Sequence, residues 1–159
     1  MRRSEREMTD ENFMYHVLED AGFLMISMNT GDFPYVFCVN HVVHKGEIYF
    51  HCAREGYKIE LMNRDPRAGF FTAVDIEVEK TTTRYRSVYG KGILESVEEN
   101  ERKETVLKAL AKKYHAPCRF PLTEQELAET MLVHIRVGGM TCKYSRPGEG
   151  KRPVQHYEY

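Results

Sequence analysis

FLMISMNTGDFPYVFCVNHVVHKGEIYFHC, residues 23–52, is the stretch on which the fold turns. Phe23 to Met28 is a compact apolar run, and Asn29, Thr30, Gly31 and Asp32 form a turn cluster ahead of a second run from Tyr35 to His44. Lys45 and Gly46 make another tight turn into Glu47 to Cys52. Connections this short join antiparallel neighbours, because a parallel crossover needs a dozen or more residues. The stretch therefore predicts a meander of consecutive strands. Its middle strand is apolar on both alternating sets, with Val36, Cys38 and Val42 on one face and Tyr35, Phe37, Val39 and Val43 on the other. An antiparallel sheet usually leaves one face wet. Both faces of this strand are expected to be covered, by barrel closure with a helix or partner outside, or by a dimer interface.

Upstream, Phe13, Met14, Val17 and Leu18 recur at helical spacing between Asp10, a natural N-cap, and Gly22. Downstream, Ile59, Leu61 and Met62 predict a short helix stopped by Asp65 and Pro66. Two long strands follow, Arg67 to about Val78 and Thr83 to Glu95, with Gly90 and Gly92 marking a bulge or sharp bend in the second. Val106, Leu107, Leu110, Ala111 and Tyr114 make one apolar stripe on a charged helix between Glu98 and His115. Thr123 and Glu126 have the spacing of a capping box and start another helix. Met131 to Val137 and Met140 to Tyr144 flank Gly138 and Gly139, which predicts a two-residue hairpin. These elements sum to an α+β domain built around an antiparallel barrel, residues 1–145, followed by a polar tail over 146–159.

Length and charge narrow the function classes. The chain has 159 residues, the size of one domain. With 23 Lys and Arg against 24 Asp and Glu, it is no magnet for a phosphate backbone, so nucleic-acid binding is not expected. No apolar run approaches the roughly 18 residues that span a bilayer, and the charged start lacks a signal peptide's apolar stretch. A cytoplasmic protein is the expectation. Cys38, Cys52, Cys118 and Cys142 lie far apart with no Cys-x-x-Cys pair, which reads as reduced thiols rather than a disulfide framework or zinc site. His41 and His44 are three apart on a strand and so point to opposite faces; no metal centre is expected.

Chemistry concentrates at His51 to Lys58. A strand ending in a histidine runs into Arg54, Gly56 and Lys58 at a helix start with no Ser, Thr, Asp or Asn cap. Free N-terminal amides, the positive end of the helix dipole and two cations together suit a phosphate, and Gly56 lets the backbone approach it. The alternative is a pair of solvated charges beside Glu55 and Glu60. Arg84, Arg86 and Ser87, expected on a neighbouring strand, either hydrogen-bond the same ligand or form a polar strand face. The mechanical parts of serine esterases, P-loop NTPases and Rossmann dinucleotide binders are missing.

Taken in order, Met1-Arg2-Arg3 with Arg6 and Glu7, Asp32-Phe33-Pro34-Tyr35, Val39-Asn40, Tyr49-Phe50-His51, Gly56-Tyr57-Lys58, Asn63, Pro66 and Ser87-Val88 before Gly90 resemble the Nim-type 5-nitroimidazole-resistance proteins. Those proteins belong to the pyridoxamine 5′-phosphate oxidase-like group of flavin-binding split β-barrels. The resemblance spans roughly residues 1 to 145. It implies a homodimer with FMN at the subunit interface and electrons passing from NADH or NADPH to an acceptor such as a nitro group. Carried over by position, it implies Val39 and Asn40 along the isoalloxazine, His51 near the flavin or substrate, Gly56, Tyr57 and Lys58 around the phosphate, and Ser87 nearby. The chain has no tryptophan, and its tail does not match the substrate-binding C-terminus of true pyridoxamine phosphate oxidases, so oxidation of vitamin B6 is not expected. A non-enzymatic flavin- or haem-binding protein of the same fold is the alternative.

Overall fold

The computed structural model describes residues 6–79 and 82–145; the polar tail expected over 146–159 lies outside them. In chain order the elements are β1 (Glu7–Met8), α1 (Glu11–Asp20), β2 (Leu24–Met28), β3 (Tyr35–Val39), β4 (His41–His44), β5 (Glu47–Ala53), α2 (Tyr57–Arg64), β6 (Arg67–Glu79), β7 (Thr82–Val97), α3 (Asn100–Lys113), α4 (Glu124–Glu129) and β8 (Thr130–Ser145). The strands form one eight-stranded sheet in the order β3-β2-β6-β7-β8-β5-β4, with β1 on β8, and all pairings are antiparallel. This is the α+β antiparallel split barrel expected from the sequence.

The β2–β3 and β4–β5 hairpins form as predicted, but the meander does not. β2–β3 and β4–β5 lie at opposite ends of the sheet order. The single run expected from Tyr35 to His44 breaks at Asn40, which belongs to neither ladder. Val39, the last residue of β3, pairs with Leu24, and His41, the first of β4, pairs with Phe50. The chain thus steps across the split between the two end strands at one residue. The turn between β4 and β5 puts Lys45 at φ 53° and Gly46 at φ 77°, the paired left-handed geometry that tight hairpins require.

Capping follows the sequence. The Asp10 side chain accepts a hydrogen bond from the Asn12 amide at 2.9 Å. Thr123 and Glu126 close a complete capping box on α4. α1 buries Phe13, Met14, Val17 and Leu18 in the main core with Leu24, Ile26, Phe50, Phe70, Val88 and Val133. A second core forms where α3 and α4 cover the outside of β4, β5 and β8, joining Val106, Leu107, Leu110 and Leu127 to Val42, Tyr49 and Leu132.

That second core explains only part of the doubly apolar strand. Val42 lies under α3, whereas Val36 is 49% exposed and Cys38 is exposed. The outer face of β3 is therefore open in the single chain: of the covers expected from the sequence, a helix is supplied over β4 only. It continues across the sheet in register: Cys38 opposite Met25, Met25 opposite Phe71, Phe71 opposite Tyr89.

A further correction concerns Gly138 and Gly139. They make no hairpin; β8 runs unbroken from Thr130 to Ser145 along β7. The register shifts between Lys91 and Gly92, where Lys91 faces Gly139 and Gly92 faces Val137, leaving Gly138 as the extra residue of a bulge. The bend read from Gly90 and Gly92 is this bulge.

Candidate functional site

β5 delivers His51 and Cys52 to the start of α2, and β3 packs its aromatic face against the same point. Gly56 is the N-cap of α2, at φ 106° and ψ 172°, and no side chain caps the helix. That backbone conformation disfavours any side chain but hydrogen, and the space where a Cβ would sit is open. The first bonds onto the Gly56 carbonyl come from the Ile59 amide at 2.9 Å and the Glu60 amide at 3.3 Å, which puts the Tyr57 and Lys58 amides at the positive, unsatisfied end of the helix.

Lys58 holds its Nζ 5.5 Å from the centre of the Phe37 ring. Phe37 lies 5.4 Å from Tyr35, and Tyr35 meets Tyr57 edge-on at 5.2 Å. Two residues of β3 and the first turn of α2 thus build one aromatic surface with an ammonium at its side. The imidazole of His51 is pushed below its ordinary pKa by burial and then by the Lys58 charge, so it is neutral near pH 7. Burial raises the neighbouring Cys52 thiol, with Lys58 opposing it. Both groups sense one cation.

The remaining nominated residues divide. Val39 is buried at the end of β3, the strand that carries Tyr35 and Phe37, and Asn40 is exposed just beyond it. Arg54 forms a solvent-exposed ion pair with Glu98 at 3.3 Å. Arg86 and Ser87 are not on a strand neighbouring β5, as the sequence suggested; β8 lies between β5 and β7. Across that sheet His51 is level with Leu132 and Leu132 with Val97. Ser87 is therefore about ten residues, roughly 33 Å at the usual strand rise, farther along β7. Arg86 shares its strand face with buried Val88, while Ser87 shares the other with Tyr89. Burial acts against the Arg86 charge, but hydrogen bonds to Asp75 at 2.5 Å and Asp20 at 2.9 Å outweigh it and raise its pKa. Within one chain these two residues do not join Lys58. Tyr35 and Phe37, which line this candidate site, are not singled out by the sequence reading, although their i, i+2 spacing with Val39 is the available signal.

Among the described residues, no three His, Cys, Asp or Glu side chains are placed to hold a metal ion. None of their helices is long and apolar enough to cross a membrane.

Residues 10–143 match the family described as pyridoxamine 5′-phosphate oxidase. The chain belongs to that family. Three solved structures show the same fold at low identity. One is a Bacteroides thetaiotaomicron VPI-5482 protein assigned provisionally to 5-nitroimidazole antibiotic resistance, with TM-score 0.76 and 20% identity over 86% of this chain and 85% of that one. Another is the FAD and haem binding protein of Mycobacterium smegmatis, with TM-score 0.77 and 16% identity over 95% and 77%. A third is the flavocytochrome Anf3 of Azotobacter vinelandii, with TM-score 0.78 and 13% identity over 98% and 75%. No curated protein sequence matches the chain.

Proposed function

We propose that this family member is an FMN-dependent oxidoreductase that works as a homodimer, with the flavin phosphate on the N-terminus of α2 and the ring system along β3 at the subunit interface. The observation that carries the reading is the uncapped glycine start of α2 with Lys58 beside an aromatic surface. That combination suits a molecule that is planar at one end and anionic at the other. The residues fit the group: Gly56 leaves room for a phosphate oxygen, the Tyr57 and Lys58 amides donate to it, and the Lys58 ammonium pairs with its charge. Val39 and Asn40 flank the ring, with His51 near the substrate side as a neutral imidazole able to accept a proton. The Arg54 ion pair with Glu98 is exposed, so it opens at little cost and Arg54 stays available to the phosphate. Arg86 is committed to Asp20 and Asp75 and is left out of the cofactor contacts. Ser87 reaches the cofactor only from the second copy.

Bound flavin supplies reversible two-electron acceptance, with NADH or NADPH as donor and a nitro compound such as a 5-nitroimidazole as acceptor; the protein binds, orients and excludes water. A second reading, a haem- or flavin-binding protein without turnover, is favoured by the neutral His51 imidazole, whose lowered pKa leaves a nitrogen lone pair free.

One absorbance spectrum of the purified protein separates these readings. Flavin bands that bleach anaerobically with NADH or NADPH support the first, and a Soret band supports the second. Titration of apoprotein with FMN then tests the phosphate site. Lys58→Ala is expected to weaken binding by about 1.5–3 kcal/mol, the scale of a hydrogen bond to a charged group. Equal affinities for the two proteins would remove Lys58 from the site.

A further inference from the structure

The step between the two end strands is held from outside by one hydroxyl. Tyr114, the C-cap residue of α3, accepts a hydrogen bond from the His41 amide at 3.0 Å and donates one to the His41 carbonyl at 3.1 Å. A phenol has one donor hydrogen and lone pairs to spare, so a single side chain satisfies both edge groups of the first residue of β4. The His41 amide belongs to the peptide unit that links it to Asn40. Fixing that amide therefore fixes the plane on the C-terminal side of Asn40, while the Val39–Leu24 pairing fixes the other side. The His41 ring is anchored as well, its Nε2 donating to the Leu18 carbonyl at 2.7 Å, and Lys113 Nζ reaches the same carbonyl at 3.2 Å. Asn40 itself is exposed and outside both ladders, so nothing in the sheet sets its direction except the two residues that bracket it.

We infer that Tyr114 is a positioning residue for the flavin site: through the His41 peptide it sets how Asn40 is presented at the gap between β3 and β4. The inference rests on the proposed flavin reading and extends it to a helix outside the pocket. Residues 114 and 41 are 73 apart in sequence, and Tyr114 reads in the sequence only as the last member of the α3 apolar stripe.

The test is a double-mutant cycle on full-length protein, titrating FMN into wild type, Tyr114→Phe, Asn40→Ala and the double variant. Tyr114→Phe keeps the ring and removes the hydroxyl. In the wild-type background it is expected to weaken FMN binding about 10-fold, the scale of one net hydrogen bond. In the Asn40→Ala background the same change is expected to cost less than about twofold, because contacts that act through one another are non-additive. An equal loss in both backgrounds marks a general packing role and overturns the inference. So does an affinity for Tyr114→Phe equal to that of wild type. If wild type itself takes up no FMN, the flavin reading fails first and carries this inference with it. Should Tyr114→Phe not fold, amide hydrogen exchange on wild type gives an independent result: FMN is expected to slow exchange of the His41 amide, and an unchanged rate rejects the link.

Discussion

His41 shows what one residue contributes when the chain closes over it. Its side chain is 0% exposed, and burial, with Lys113 beside it, lowers its pKa to about 4, against a smaller opposing effect of the hydrogen bond to Leu18. An unfolded histidine titrates near 6.5. Between those values the unfolded chain binds the extra proton and the folded chain does not, so this residue's contribution to stability is complete above pH 6.5 and is lost as the pH falls towards 4. The expected loss is about 2 kcal/mol on going from pH 7.5 to pH 5. Urea unfolding of wild type and His41→Asn at the two pH values checks it, since the variant lacks the titration; parallel pH profiles would refute the assignment. At this scale the sequence was readable where chemistry is local. Gly56 and Lys58 declared themselves by a helix start without a cap. Arg86 did not, because its commitment to Asp20, 66 residues away, leaves no trace in the strand around it. Tyr35 and Phe37 look like ordinary strand aromatics in the sequence, since a strand's alternation says which residues share a face but not what lies opposite.

Elements obey their sequence signals when those signals are both local and exclusive. Asp10, the Thr123 capping box and the β4–β5 turn each have one physical meaning, and each forms as read. Gly138 and Gly139 have two: a tight turn and a bulge both need small residues. The choice falls to the bulge because β7 continues alongside β8 for its whole length, a fact of pairing that no window of β8 contains. Gly90 is decided differently again. It lies directly opposite Phe70, and a Cβ there would sit 2.0 Å from Phe70 Cζ. Phe70 is 1% exposed and has no room to retreat. Gly90→Ala is therefore expected to destabilise the fold by about 1–3 kcal/mol, the cost of overpacking a core. Combining it with Phe70→Leu should recover part of that loss, because the two changes share one space. Thermal or urea unfolding of both singles and the double gives the coupling. Strictly additive losses would mean that the ring and the glycine are not competing for the same volume.

For the whole molecule the decisive feature is the open sheet face. The row from Cys38 through Met25 and Phe71 to Tyr89 crosses four adjacent strands in register, and Val36, Phe71 and Tyr89 are 49%, 40% and 54% exposed. Apolar groups lined up this way on a sheet are more than scattered surface residues, and their continuity favours a partner surface. The sequence registered half of this in the two apolar sets of the middle strand. It did not reveal that α3 covers β4 while β3 stays bare, since that depends on β3 and β4 ending up at opposite ends of the sheet. A second copy is the proposed cover, related by a two-fold axis so that each row meets its equivalent. Tyr89 lies at the end of the row, and a carboxylate placed there would be buried without a partner. Light scattering coupled to size exclusion is thus expected to give twice the chain mass for wild type and the chain mass for Tyr89→Glu. The same variant tests where the cofactor lies. If the flavin spans both copies, the monomeric variant loses FMN affinity although every residue of α2 is intact. If the monomer binds FMN as tightly as wild type, the phosphate site is complete within one chain and the interfacial placement is wrong.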